Sequence, residues 1–196
     1  MDKIEKFYNA HKMGFPVNIR ALIKQQGIEL RENEELGAEI SGELFKENDQ
    51  FIIATNKLDQ EPLRSFAMAH ELGHFVFHKS LIGEGVDDNR LFFSTDSGRY
   101  NNTEIKRVHE AQANIFACNT LMPIVALAKF VSTQDYKVRA QISENIVELE
   151  SRFSVPLSVI TWWMKIHVDN GELTENASKN LDLLEQKLSD DKKRNY

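Results

Sequence analysis

Apolar and histidine positions recur at three- and four-residue intervals from Leu63 through Phe66, Ala67, His70 and His74, the period of a helix. Phe75, Val76 and Phe77 make its second half apolar nearly all round, as expected in the middle of a domain. Glu61-Pro62 marks the entry, since a first-turn proline gives up an N–H that has no partner there. A helix over roughly 61–79 follows. Upstream, residues 2–12 and 17–26 read as helices, with Gly27 stopping the second. Ile28–Arg31, Ala38–Phe45 and Gln50–Thr55 read as strands, and Glu47-Asn48-Asp49 supplies turn chemistry for a hairpin between the last two. A second helical run begins near Glu110, carries Ala113, Phe116, Ala117 and Leu121 along one side, and stops at Pro123. Beyond it the pattern predicts helices over 124–131, 136–152 and 156–168, the last two joined at Ser154-Val155-Pro156-Leu157. In the charged tail, Ala177, Leu181, Leu184 and Leu188 form a thin apolar stripe of the kind found in a coiled-coil seam.

Residues 83–103 break these periods. They are polar and punctuated by Gly83, Gly85, Asp87-Asp88-Asn89 and Asp96-Ser97-Gly98. So long a loop in a compact domain is usually functional or mobile. Leu91-Phe92-Phe93 within it reads as a short strand or an apolar lip for a substrate.

Composition narrows the class. The 196 residues suit one domain with an appended subdomain, enough chain to bury a core. With 24 basic against 30 acidic residues, a net charge of −6 argues against a nucleic-acid surface as the main business. The single cysteine, Cys118, allows no internal disulfide, which suits a reducing compartment. A charged start without an apolar signal segment, and no apolar run of spanning length, lead to the expectation of a cytoplasmic protein without a membrane partner.

The chemistry is concentrated in His70-Glu71-Leu72-Gly73-His74. Residues four apart share a helix face, so His70 and His74 can offer two imidazoles to one ion. Glu71 lies about 100° further round, near enough to serve as general base without being a ligand. This is the H-E-x-x-H arrangement of zinc hydrolases. Gly73 costs the helix about 1 kcal/mol relative to Ala, a cost that makes sense if another segment or a substrate must come close there. A catalytic zinc usually takes a third protein ligand and leaves one position open. The extended metzincin pattern is excluded, because its further Gly and His positions are Phe77 and Ser80. His78 sits one turn after His74, but three ligands along one helix would spread over about 12 Å of axis. His78 therefore reads as a pocket wall or a support for the ligands, or simply as a satisfied buried histidine. Glu110, with Asn114 one turn on to orient a histidine, is a candidate third ligand, although a glutamate on an amphipathic helix is by itself most often solvated. Arg99, Tyr100 and His109 are candidates to stabilise an oxyanion.

Two blocks of sequence together resemble the ImmA/IrrE family of metallopeptidases. The first is His70-Glu-Leu-Gly-His74 with Phe-Val-Phe-His78, and the second is Glu110-Ala-Gln-Ala-Asn-Ile-Phe-Ala117 with Leu121-Met122-Pro123. Upstream, Pro16-Val17-Asn18-Ile19, Ser41-Gly42 and Ile52-Ile53-Ala54-Thr55-Asn56 also fit, so the likeness spans about residues 15 to 125. The resemblance is what singles out Glu110. It implies one zinc ion per chain held by His70, His74 and Glu110, with Glu71 as base. The implied fold is α+β: a zincin-like peptidase core with a small antiparallel sheet and the H-E-x-x-H helix, followed by an all-helical C-terminal subdomain. The division expected is 1–130 for the peptidase domain, 131–170 for helices packed on it, and 171–196 for a polar helical tail.

That resemblance also implies a substrate: a specific protein, such as a helix-turn-helix repressor or antitoxin of a phage or other mobile element. Many family members carry a DNA-binding domain before the peptidase part, whereas this chain opens almost directly on the peptidase region. DNA reading is then expected of a partner rather than of this chain. The turn near Ser154 has a helix-turn-helix outline, but Glu144, Glu148 and Glu150 precede it and Lys165 is nearly the only base after it. A phosphate-binding face needs clustered Lys and Arg, so packing against the peptidase part is expected, with Trp162-Trp163 giving a core anchor and a partly exposed neighbour. The tail stripe is open to the body, to a second copy in a dimer, or to a partner. Two alternative readings stand beside the endopeptidase: a toxin-like half of a toxin–antitoxin pair, and a metal-binding regulatory module without proteolytic turnover.

Overall fold

The computed structural model describes residues 4–82, 107–133 and 142–173, together with 182, 184–186, 189, 190 and 193 of the tail. The helix expected over 2–12 is instead two short pieces, α1 (Glu5–Tyr8) and a 3-10 turn (Ala10–Met13), ending at Gly14 with φ +118°. Such a φ is open to glycine and closes the run. Helix α2 (Ile19–Gln25) is capped by Asn18, whose side-chain oxygen accepts from the Ala21 N–H at 3.0 Å. Gly27, at φ +73°, ends it as the sequence predicts.

Three strands follow: β1 (Glu29–Glu34), β2 (Gly42–Glu47) and β3 (Gln50–Asn56). Asn48 and Asp49 both have positive φ, the requirement of a two-residue turn between antiparallel strands, and Glu47 faces Gln50 across it. The expectation of an antiparallel sheet is corrected by β1. The order is β1-β3-β2, and β1 runs parallel to β3. The reason is legible in burial: β3 is buried without interruption from Ile52 to Asn56, whereas β1 is exposed or half-buried along its length. A strand covered on both faces belongs in the centre. The hairpin therefore inserts β3 between β1 and β2.

Strand β2 also starts four residues later than expected. Residues 36–41 form a loop whose carbonyls are taken by Asn56 rather than by a ladder. Asn56 Nδ2 donates to Gly37 O at 3.0 Å and Ile40 O at 2.7 Å, while its Oδ1 accepts from the Leu58 N–H at 3.0 Å.

Helix α3 (Glu61–His78) lies on this sheet and is buried on all sides from Ser65 to His74. Helix α4 (Arg107–Leu121) packs along it, and α5 (Ile124–Thr133), α6 (Ile142–Phe153) and α7 (Leu157–Asp169) follow in the chain. Leu149, Phe153 and Val159 join the same core as Ile53, Phe66, Leu72 and Phe116. Ser154 Oγ donates to Ser65 Oγ at 3.0 Å, tying the α6–α7 turn to α3. Of the two tryptophans, Trp163 is the core anchor and Trp162 is the half-buried neighbour. In the tail, Leu184 is buried in the same core and Lys165 Nζ lies 3.3 Å from Glu185 Oε1. Ala177, Leu181 and Leu188 fall outside the described residues, as do the expected loop 83–103 and residues 134–141. Among the described residues, no single helix is long and apolar enough to cross a membrane.

Candidate metal centre

Convergence of α3 and α4 makes the site. A Cβ built on Gly73 would lie 3.1 Å from Ala113 Cα, 3.1 Å from Phe116 Cδ1 and 3.2 Å from Ala113 O. The missing side chain is what lets the two backbones meet beside His74, as the sequence suggests for this glycine. At that crossing His70, His74 and Glu110 come together, all three buried.

Their atoms face one another closely. The two Nε2 nitrogens are 3.0 Å apart, Glu110 Oε2 is 3.2 Å from His70 Nε2, and Glu110 Oε1 is 3.3 Å from His74 Nε2. Despite its proximity to His70, Glu110 Oε2 is left without a well-directed hydrogen bond, a buried acceptor with no partner. Ligands about 2.0–2.1 Å from a tetrahedral ion would stand about 3.3 Å from each other. The observed separations match that spacing, and two imidazoles with a carboxylate suit a divalent transition ion. The triad can hold a metal ion.

Electrostatics agree. Burial pushes the His74 imidazole down to about 4, helped by the charge of His70 and opposed by Glu110. Burial alone would raise the Glu110 carboxyl, but the close approach of the His70 and His74 imidazoles to its two oxygens outweighs it and holds it at about 2. Near neutral pH the histidine is therefore neutral and the glutamate ionised, the states in which they can ligate a metal.

Each histidine is oriented through its other nitrogen. His70 Nδ1 meets Asn114 Oδ1 at 2.9 Å, so Asn114 lies beside one of the two histidines. His74 Nδ1 meets His78 Nδ1 at 3.1 Å, and His78 Nε2 meets Gln112 Oε1 at 2.9 Å. His78 thus backs His74 rather than facing the triad, and burial holds its imidazole below the ordinary range. His109 packs its ring 4.6 Å from that of His78. Arg99 and Tyr100 lie outside the described residues. Gln112 is the residue that sequence reasoning passed over. Its signal was present, since Gln112 stands inside the second block that carries the resemblance, two positions after Glu110.

Glu71 is buried beside the triad on α3. A Cβ on Gly42 would stand 3.3 Å from Glu71 Cγ and 3.2 Å from Ala67 Cβ, so the start of β2 passes directly over this glutamate. Ser41-Gly42 is therefore a close-approach point between strand and helix.

Among curated proteins, none matches the chain at a significant level. A protein-family comparison matches residues 23–161 to the M78 peptidases, described as an IrrE N-terminal-like domain. That span takes in α3, α4 and every residue of the triad and its supports. On this match the chain belongs to the M78 (IrrE N-terminal-like) peptidase family, a family of metallopeptidases.

Proposed function

We propose that this chain is a zinc-dependent endopeptidase with a zincin-like core, acting on a specific protein. The observation that carries the reading is the buried His70–His74–Glu110 triad beside Glu71. In this reading the triad holds the metal and Glu71 is the general base. A zinc ion bound there supplies a Lewis acid that makes water a usable nucleophile near neutral pH. The Glu71 carboxylate takes the proton released as water attacks the peptide carbonyl and delivers it to the leaving amine. Asn114 and His78 hold the imidazoles so that each Nε2 faces Glu110. Strand β2 edges the sheet among the described residues, and its backbone beside Glu71 offers an extended peptide a partner for pairing.

The division into a peptidase domain at 1–130, a helical subdomain at 131–170 and a tail from 171 is part of this proposal. So is the substrate: a helix-turn-helix repressor or antitoxin carried by a mobile element, with the DNA contacts on that partner. Purified zinc-loaded chain is expected to cleave such a protein encoded beside it. Glu71→Gln should keep the zinc and lose at least about a hundredfold in rate, the weight of a general base. Undiminished cleavage by that variant would remove Glu71 from the mechanism.

A further inference from the structure

We propose that His78 and Gln112 are positioning residues that set the tautomer of His74 through a directed chain of hydrogen bonds. This rests on reading the triad as a metal centre. The two Nδ1 nitrogens of His74 and His78 are 3.1 Å apart, and one of them must donate. A neutral imidazole carries one donor and one acceptor, so whichever proton order is chosen at one end passes to the other.

Only two orders are possible. If Gln112 accepts at Oε1, His78 carries its proton on Nε2, its Nδ1 accepts from His74 Nδ1–H, and His74 Nε2 keeps a lone pair. If the amide is reversed, its NH2 donates to His78 Nε2, and His78 Nδ1–H donates to His74. The His74 proton then sits on Nε2, where it blocks ligation. The structure has Gln112 Oε1 2.9 Å from His78 Nε2, the order that leaves His74 Nε2 open toward Glu110 and His70.

The two ligand histidines are thus held by different means. For His70 the orientation is decided in one step by the buried Asn114 amide. For His74 it runs through the buried His78 to an amide on the exposed side of α4. Gln112 can therefore be changed without cutting into the core.

Zinc affinity by chelator competition and two-bond proton–nitrogen NMR of the labelled zinc-loaded chain test this together. His78 is expected to be protonated on Nε2; a proton on Nδ1 would overturn the proposal. His78→Phe should weaken zinc binding about 10- to 100-fold. Gln112→Ala should weaken it about 2- to 10-fold, the worth of one hydrogen bond, while Gln112→Glu, which restores an acceptor, stays within about threefold of the parent. In the His78→Phe background, Gln112→Ala should cost nothing further, which a merely structural role for Gln112 would not produce. Unchanged affinity in both single variants refutes the chain of hydrogen bonds alone. A parent chain that binds no zinc refutes the metal centre itself.

Discussion

Gly73→Ala is the substitution whose outcome the structure fixes most sharply. The new methyl would meet Ala113 Cα and Phe116 Cδ1 at 3.1 Å and Ala113 O at 3.2 Å. Carbon atoms pack best at about 3.5–4.0 Å, so relief needs a shift of several tenths of an ångström. Ala113 is helix backbone and cannot turn aside. The Phe116 ring is enclosed by Phe7, Tyr8 and Phe77, at centroid distances of 5.3, 5.9 and 5.7 Å. What must move is α4. Overpacking of this kind costs about 1–3 kcal/mol, against a gain of about 1 kcal/mol for Ala over Gly within a helix. The metal-free variant should therefore be destabilised by about 0–2 kcal/mol in urea unfolding.

The effect on metal should be larger than the effect on folding. Glu110 lies one turn from Ala113 on α4, and a ligand set tolerates displacements of only about 0.2 Å. Zinc affinity should fall about 10- to 100-fold, as for other losses of ligand support. Gly27→Ala is the control. Its Cβ would meet nothing within 4 Å, but φ is +73°, so it should cost about 1–2 kcal/mol of stability and leave zinc binding unchanged. If Gly73→Ala binds zinc like the parent, the close approach of α3 and α4 does not set the site, and the reasoning fails.

Glu110→Ala should retain the fold and lose stoichiometric zinc by metal analysis, because two imidazoles alone are an incomplete catalytic set. Asn56→Ala leaves the Gly37 and Ile40 carbonyls and the Leu58 N–H without their partner, and should lower stability by about 1–3 kcal/mol in denaturant titration. Acid should act in two windows on the metal-free chain. His74 is depressed to about 4 from 6.5, so the unfolded state binds more protons, and its contribution, full above pH 6.5, is lost as pH falls toward 4. Glu110, depressed to about 2 from 4.5, contributes fully above pH 4.5 and loses that contribution as pH falls toward 2. Urea midpoints across pH should show His74→Gln flattening the upper window; an unaltered slope there would contradict the burial argument.

The sequence by itself determined what depends on neighbours within a turn or two. The helix of His70 and His74 is set by apolar period and a first-turn proline, and the β2–β3 turn by Asn48-Asp49, whose backbone tolerates positive φ. The placement of two imidazoles and Glu71 on adjoining faces follows from helical geometry alone. Glu110 was different: many glutamates share its local pattern, and resemblance, not periodicity, drew attention to it.

Tertiary structure decided whatever requires distant segments to meet. It placed β3 between β1 and β2, because a strand buried along its length must have the N–H and C=O groups of both its edges paired. It gave the 36–41 loop to Asn56, whose partners are 16 to 20 residues away in the chain. It brought Gln112 to His78, and Glu110 to both His70 and His74, across a crossing that Gly73 permits. Periodicity tells which face of a helix is buried, but not what it is buried against. That depends on the packing of one helix on another, and here on the absence of a single methyl group.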